Sequence, residues 1–150
     1  HERLVGSEMC IRDSSTALFE NCEIRSKTNS YVTAASTPED IAVGYVFKNC
    51  KLTANPGVDK VYLGRPWRPY AATVFINCEM GKHIRPEGWH NWGKEENEKT
   101  ARYAEYNSTG EGAAAAGRVK WAKQLTKKEA AQYDDLNYIY RMCSDWKPEN

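Results

Sequence analysis

The chain repeats one hexad three times, as Phe19-Glu20-Asn21-Cys22-Glu23-Ile24, Phe47-Lys48-Asn49-Cys50-Lys51-Leu52 and Phe75-Ile76-Asn77-Cys78-Glu79-Met80. The copies begin at positions 19, 47 and 75, so both intervals are 28 residues. Each copy follows an apolar residue and reads as a short β segment that ends at an Asn-Cys corner. A fixed period of this kind is typical of a solenoid, in which each coil buries its face against its neighbours.

The composition of the repeats distinguishes a β solenoid from a helical one. Helical repeats need about ten or more residues with a 3.6-residue hydrophobic period, whereas these units are short runs separated by Thr, Asn, Gly and Pro. The sequence therefore predicts an all-β fold, a parallel β-helix with columns of Phe, Asn and Cys. We expect the Asn side chains to hydrogen-bond along the stack and the three stacked cysteines to be buried free thiols.

The C-terminal part of the chain has a different pattern. The run Thr126-Lys127-Lys128-Glu129 matches a capping box and predicts a helix that extends to about Asp134. Residues 136–142 carry apolar side chains at helical spacing and predict a second helical or irregular stretch. We expect this short helical tail to pack against the flank of the solenoid.

Composition and charge exclude several classes of function. The 150 residues carry a net charge of +1, which is not the basic footprint of a nucleic-acid-binding domain. No apolar run is long enough to span a membrane. His83, Glu87 and His90 do not have a recognised zinc spacing, so we expect no metal. We therefore expect neither a nucleic-acid partner nor a membrane.

A candidate site for an acidic sugar lies between the second and third hexads, at Leu63-Gly64-Arg65-Pro66-Trp67. Gly64 tolerates unusual dihedrals and Pro66 fixes its own φ, so Arg65 and Trp67 are expected at a stiff strand-to-loop junction. Arg offers a planar fork for carboxylates, and Trp offers a flat apolar face for a sugar ring.

Several stretches resemble the C-terminal half of pectin methylesterases, in matching order and spacing. They are Val61–Trp67, Thr73–Phe75, Ile84–Trp89, Tyr103–Asn107 and Arg118–Trp121. The likeness runs from about Thr16 to Pro148. It implies a right-handed parallel β-helix that hydrolyses the methyl esters of polygalacturonate without a metal or other cofactor. It also implies pectin as the partner, a monomeric parent protein, and a secreted or periplasmic location.

The resemblance implies roles for individual residues. In that family one Asp attacks the ester carbonyl, a second Asp acts as general acid and then base, and Gln side chains hold the oxyanion. Arg65 matches the arginine that hydrogen-bonds the nucleophilic carboxylate, which would keep that carboxylate ionised and oriented. Trp67 matches the tryptophan of the neighbouring sugar subsite. Trp89 is a further candidate for a wall of the substrate groove.

The first residues depart from the family pattern. The alignment places the nucleophile near Met9, and Asp13 falls at a Gly position, so neither residue supplies the missing Asp. The run from Arg3 to Ser14 instead resembles an in-frame translation of a transposase adaptor used for sequencing libraries. We therefore interpret residues 1–14 as a non-native leader and residues 15–150 as the C-terminal portion of a pectinesterase β-helix domain.

Three functions stay open at this point. The first is the carboxylic ester hydrolase just described, as the activity of the intact parent. The second is another pectin-acting β-helix enzyme, a lyase or a hydrolase, although a lyase would need calcium-binding carboxylates that the Leu63–Trp67 run does not supply. The third is a non-catalytic β-helix that binds polygalacturonate, which would lack the upstream Asp and Gln residues.

The missing carboxylates lead to a first prediction. The 150-residue chain alone will show no measurable methylesterase activity, because it carries Arg65 and Trp67 but neither catalytic Asp. Methanol release from esterified pectin, compared with a boiled sample, measures this. Release well above that of the boiled sample would contradict the prediction.

Overall fold

The computed structural model describes the backbone of residues 2–11 and 17–134, and the side chains of residues 17–134 other than residue 115. No helix in these ranges is long and apolar enough to cross a membrane. The strands are β1 (Glu2–Ile11), β2 (Ala17–Ser26), β3 (Tyr31–Ala35), β4 (Tyr45–Lys48), β5 (Lys51–Ala54), β6 (Tyr62–Pro66), β7 (Ala72–Ile76), β8 (Glu79–Met80), β9 (Arg102–Tyr106) and β10 (Lys123–Gln124). The α-helices are α1 (Asn97–Thr100) and α2 (Lys127–Ala131), and Ala115–Gly117 forms a 3-10 turn.

Residues 17–124 wind into stacked coils with three sides. On the first side the start of β2 pairs with β4, then β4 with β7, β7 with β9, and β9 with β10. On the second side the end of β2 pairs with β5, and β5 pairs with β8. On the third side β3 pairs with β6. All of these pairings are parallel, so the predicted parallel β solenoid is confirmed.

The predicted column of phenylalanines is confirmed. The ring centroids of Phe19 and Phe47 are 4.8 Å apart, and those of Phe47 and Phe75 are 4.6 Å apart, with nearly parallel planes. The strand register places each Phe directly opposite the next. Stacked aromatic pairs of this kind add about 0.5–1.5 kcal/mol each beyond the burial of their area. The 28-residue period therefore fixes the register of the coils.

The corner after each Phe is a bend in the left-handed backbone region. Asn21, Asn49 and Asn77 have φ values of 57°, 55° and 54°, and Asn107 continues the series at 53°. Among residues with a side chain, Asn is one of the few that enters this region at low cost. The amide Nδ2 of Asn107 donates to Oδ1 of Asn77 at 2.9 Å, so the predicted hydrogen bonding along the stack is confirmed for this pair.

The cysteines of the three hexads are buried free thiols, as predicted. The Sγ of Cys50 contacts the carbonyl oxygen of Phe19 at 3.5 Å, and that of Cys78 contacts the carbonyl oxygen of Phe47 at 3.4 Å. The thiols of Cys50 and Cys78 can therefore donate weak hydrogen bonds to the coil before them, whereas that of Cys22 contacts the Glu20 carbonyl oxygen of its own coil at 3.4 Å.

The fourth coil replaces the phenylalanine with a charge. Glu105 lies opposite Phe75 in the register, and the Glu105 and Arg118 side chains are each only 2% exposed. Nε and Nη2 of Arg118 donate to the two carboxylate oxygens at 2.8 and 3.2 Å, and Nη2 also donates to the carbonyl of Gly112 at 2.7 Å. This fourth copy is hard to recognise in the sequence, because Ser108 replaces the cysteine and its corner residue Asn107 lies 30 residues after Asn77 instead of 28.

The C-terminal segment covers the outer face of the first side. The capping box is confirmed, since Thr126 Oγ1 accepts from the Glu129 backbone N–H and the Glu129 carboxylate accepts from that of Thr126. The helix ends at Ala131, before the expected Asp134. Just after the helix, the carbonyl of Tyr133 accepts a hydrogen bond from Lys48 Nζ at 2.8 Å. Leu125 and Tyr133 pack against the buried cluster Leu18, Val43, Val46, Val74 and Ile76. The expected stretch over residues 136–142 lies outside the described residues.

Strand β1 runs against the direction of the stack. It pairs antiparallel with the whole of β2, from Glu2 opposite Ser26 to Ile11 opposite Ala17. This orientation distinguishes it from the coils, whose strands all pair in parallel. Our interpretation of residues 1–14 as a non-native leader stays a prediction.

The buried ion pair generates a second prediction. Arg118→Ala should lower the free energy of unfolding by about 3–5 kcal/mol, because it leaves the Glu105 charge buried and unpaired. Urea denaturation followed by circular dichroism measures this. The control is Arg25→Ala, which removes an exposed contact with Glu23 and should leave stability nearly unchanged. Equal effects of the two substitutions would contradict the prediction.

Candidate functional site

Arg65 and Trp67 lie at the end of a strand, as the sequence predicted. Strand β6 ends at Pro66, and the backbone N–H of Trp67 donates to the carbonyl of Ala35 at 2.8 Å. Gly64 is needed for a reason other than the expected one, because it is not among the glycines with positive φ. A Cβ at this position would lie 2.4 Å from Oγ1 of Thr33 and 3.1 Å from the ring of Trp89. Gly64 therefore provides space for its neighbours.

The third side of the coil departs from regular strand alternation. In β6 two consecutive residues, Leu63 and Gly64, are buried, and the partly exposed residues on either side are Tyr62 and Arg65. Strand β3 has the same pattern, with Tyr31 opposite Tyr62. A regular strand would place residues three apart on opposite faces. The departure from alternation accompanies the placing of Tyr31, Tyr62 and Arg65 on one surface, which sequence reasoning missed.

The guanidinium of Arg65 lies among three aromatic rings. Its Cζ is 3.9 Å from the ring centroid of Trp92, 5.0 Å from that of Tyr31 and 5.4 Å from that of Trp67. Cation–π contacts contribute about 0.5–2 kcal/mol each, with the larger values at sites shielded from water. Trp67 is 61% exposed and Trp92 is 43% exposed, so both offer apolar area to solvent.

Two nitrogen atoms of the same guanidinium have no hydrogen-bond acceptor within residues 17–134. Its Nε and Nη1 atoms are shielded from solvent and unpaired in this part of the chain. A planar cation with unpaired donors is suited to an anionic group such as a carboxylate. Burial raises the pKa of Tyr103, and the Arg65 charge partly offsets that rise. Within the described residues the site is therefore a positioned cation with unpaired donors.

A short loop holds Trp92 over Arg65. Trp92 has a φ of 60°, an unusual conformation for a bulky residue, and Gly93 follows with a φ of 73°. The Asn91 side chain accepts from the Gly93 N–H at 2.8 Å and donates to the Glu98 carboxylate at 2.8 Å. The buried Asn97 donates to the Asn91 carbonyl at 3.1 Å. We did not predict Trp92 as a site residue, although the Asn-Trp-Gly turn was a signal for it.

Further aromatic rings extend this surface away from Arg65. Tyr31 and Tyr62 stack with centroids 5.4 Å apart, and the His90 ring lies 5.0 Å from that of Tyr62. The Trp92 ring is 6.0 Å from that of Tyr31. We name Tyr31, Tyr62, His90 and Trp92 the aromatic strip. It offers a row of ring surfaces suited to a sugar chain.

Trp89 does not stand beside Arg65 and Trp67 as an exposed wall of a groove. It is 1% exposed, and its ring stacks on Tyr103 with a centroid distance of 4.2 Å. Its ring also occupies the space that Gly64 leaves open. Its burial therefore does not support the predicted wall, and Trp89 is instead part of the core beneath the site.

Comparisons with known proteins agree with this architecture. The sequence model of the pectinesterase family matches residues 3–142, and the chain belongs to this family. It is 40% identical over 135 residues to pectinesterase 31 of Arabidopsis thaliana, covering 89% of this chain and 43% of that protein. It superposes on pectin methylesterase from Yersinia enterocolitica with a TM-score of 0.71 and 30% identity, covering 87% of this chain and 48% of that one.

A pectin methylesterase solved in complex with a hexasaccharide is also similar. The TM-score is 0.69 and the identity 29%, covering 89% of this chain and 46% of that one. The chain thus spans less than half the length of each of these relatives.

The different burial of two tryptophans generates a third prediction. Trp67→Ala should change the free energy of unfolding by only about 0.5 kcal/mol, because the ring is exposed. Trp89→Ala should cost about 3–5 kcal/mol, because it leaves a cavity in the core. Urea denaturation of both variants measures the contrast. A large loss of stability for Trp67→Ala would assign that ring to the core.

Proposed function

We propose that this chain is part of a pectin methylesterase, a carboxylic ester hydrolase that converts methyl esters of polygalacturonate to free carboxylates and methanol. The observation that carries the proposal is the Arg65 guanidinium, which has unpaired Nε and Nη1 donors and is surrounded by aromatic rings. The hexasaccharide complex of a related enzyme supports an oligosaccharide substrate. Pectin lies outside cells that degrade or remodel it, so we propose a secreted or periplasmic location.

We propose that Arg65 positions the nucleophilic carboxylate of the enzyme. A charge-assisted hydrogen bond from a guanidinium whose own position is fixed can orient a carboxylate. The adjacent positive charge would lower the pKa of that carboxyl group and keep it ionised for attack. The contacts with Tyr31, Trp67 and Trp92 restrict the guanidinium, so little ordering is required when the ester arrives.

The nucleophile and the acid/base group would be Asp residues upstream of the segment that resembles the family. In the proposed reaction the nucleophile attacks the ester carbonyl and forms an acyl–enzyme bond as the bond to the methoxy oxygen breaks, and the second Asp protonates the departing methoxide to methanol. The second Asp then takes a proton from water, which hydrolyses the acyl intermediate. In this scheme Arg65 positions the carboxylate and transfers no proton.

The exposed rings would bind the sugar chain. Trp67 adjoins Arg65 in sequence and in space, so its ring is our candidate for the sugar subsite next to the reacting ester. Trp92 and Tyr31 line the other sides of the same cation and would extend this surface.

A second candidate function is binding of polygalacturonate without catalysis. It is favoured by the same unpaired donors of Arg65, which can donate directly to a galacturonate carboxylate if no enzyme carboxylate is bound there.

The proposal yields a fourth prediction. In a longer protein that contains the upstream Asp residues, Arg65→Ala should lower kcat by about 100-fold or more, because a preorganised polar contact is lost. Methanol release from esterified pectin measures kcat. The matched control is Arg68→Ala, an exposed arginine of the same segment, which should leave kcat near its original value.

Two outcomes would decide against this role. Near-normal turnover of the Arg65→Ala enzyme would reduce Arg65 to a surface contact. Absence of turnover in the unsubstituted longer protein, together with pectate binding that depends on Arg65, would favour the non-catalytic alternative.

A further inference from the structure

The imidazole of His90 supports the turn that carries Trp92. Its Nδ1 accepts a hydrogen bond from the backbone N–H of Trp92 at 3.2 Å. The backbone N–H of His90 donates to the carbonyl of Gly64 at 3.1 Å, which fixes His90 to strand β6. His90 therefore connects the strand that contains Arg65 to the turn that holds Trp92 over this arginine.

The turn depends on such support because its backbone conformation is unusual. Trp92 has a φ of 60°, a conformation that bulky residues keep only where the surrounding structure imposes it. The Trp92 ring is also the nearest of the three rings around Arg65, with its centroid 3.9 Å from Cζ. A change in this turn would therefore move the ring that lies closest to the cation.

The hydrogen bond from Trp92 depends on the protonation state of His90. A neutral imidazole has one nitrogen that accepts a hydrogen bond, whereas a protonated imidazole donates from both nitrogens. Nδ1 can therefore accept from the Trp92 N–H only while His90 is neutral. Histidine side chains ordinarily change charge between about pH 8 and pH 5. Acidification over this range would remove the acceptor from the turn.

Charged and titratable side chains face His90 from the elements packed against it. The carboxyl groups of Glu87 and Glu98 line a cavity of about 210 Å³ together with His90. The others lie around the aromatic strip, namely the guanidinium groups of Arg65 and Arg85 and the hydroxyl groups of Tyr31 and Tyr62. Nη1 of Arg85 is 3.9 Å from the Glu87 carboxylate, so these two charges also pair. Among these types of side chain, imidazole is the one that ordinarily changes charge between about pH 5 and pH 8.

We propose that His90 is a positioning residue of the Arg65 site, which holds Trp92 over Arg65 while its imidazole is neutral and releases it when protonated. The consequence for a sugar chain rests on the proposed function. With Trp92 in place, its ring restricts the guanidinium and extends the surface for the sugar. Protonation of His90 weakens both effects, so substrate binding decreases as the pH falls, for a reason separate from the catalytic carboxylates.

The test follows the Arg65 guanidinium in the ¹⁵N-labelled 150-residue chain between about pH 7.5 and pH 5.5. The ring current of Trp92 shifts the Nε–H resonance of Arg65, which is assigned with Arg65→Lys. The unsubstituted chain is compared with His90→Asn and His90→Phe. Asn carries an acceptor oxygen at the position of Nδ1 along the side chain and takes up no proton in this range. Phe keeps a ring but offers no acceptor.

In the unsubstituted chain we expect the Arg65 resonance to lose its ring-current shift as the pH falls, with the same midpoint as the His90 imidazole resonances. In His90→Asn it should stay at its neutral-pH position throughout, and in His90→Phe near its acid position throughout. The matched control is His83→Gln, which removes the other histidine of residues 17–134 and should leave the titration in place.

Four outcomes of this experiment would overturn the proposal. They are no movement in the unsubstituted chain, the same movement in His90→Asn, a neutral-pH position kept by His90→Phe, and loss of the titration in His83→Gln. The first three would show that the acceptor on His90 does not hold Trp92 over Arg65. The fourth would assign the effect to the other histidine.

A second measurement separates this proposal from the proposed function. A fully methyl-esterified oligogalacturonide, whose esterified groups do not titrate, is added to the same chains at the two pH values in isothermal calorimetry. We expect the unsubstituted chain to bind about 5-fold more weakly at the lower pH, as for the loss of one hydrogen bond, and His90→Asn to bind equally at both. Equal affinities of the unsubstituted chain would overturn the role of His90 in sugar binding. Absence of binding at both pH values would instead overturn the proposed function, and the Arg65 resonance would still decide whether His90 positions Trp92.

Discussion

The left-handed asparagine corner is the constraint on which the stacked coils depend. At Asn21, Asn49, Asn77 and Asn107 the chain turns through a backbone conformation that most side chains avoid. Because the turn recurs at equivalent points, the strands on either side of it stay in register from coil to coil. The phenylalanine stack and the thiol contacts follow from that register. The corner costs little locally and fixes long-range order.

The same register builds the functional surface on another side of the coil. Pairing of β3 with β6 sets Tyr31 against Tyr62 and Thr33 against Gly64. The missing side chain at Gly64 admits the Trp89 ring, and the chain then proceeds directly into the loop that carries Trp92. Arg65 consequently meets rings from three separate segments. Core packing and the aromatic surroundings of the cation are therefore coupled through one glycine.

The sequence predicted what repeats and missed what breaks the repeat. The coils, the phenylalanine column and the Thr126 capping box each have a local signature, so they could be predicted. The buried Glu105 could not be predicted, because its charge is compensated by Arg118, and only the fold brings Arg118 near it. Trp89 and Trp92 are three residues apart and both lie next to a glycine in the sequence, yet Trp89 is buried and Trp92 is exposed. Their difference depends on the space at Gly64 and on a turn with positive φ.

Because Glu105 replaces phenylalanine in the fourth coil, the two ends of the phenylalanine column are not equivalent. Coils that present a phenylalanine on both faces are interchangeable, so a unit gained or lost by duplication or deletion would leave matching surfaces behind. The Glu105 coil accepts phenylalanine on one face only, because its carboxylate is committed to Arg118. Variation in the number of coils would then be confined to the N-terminal side of the coil that carries Glu105. Length could change over evolution without disturbing the buried pair of Glu105 and Arg118.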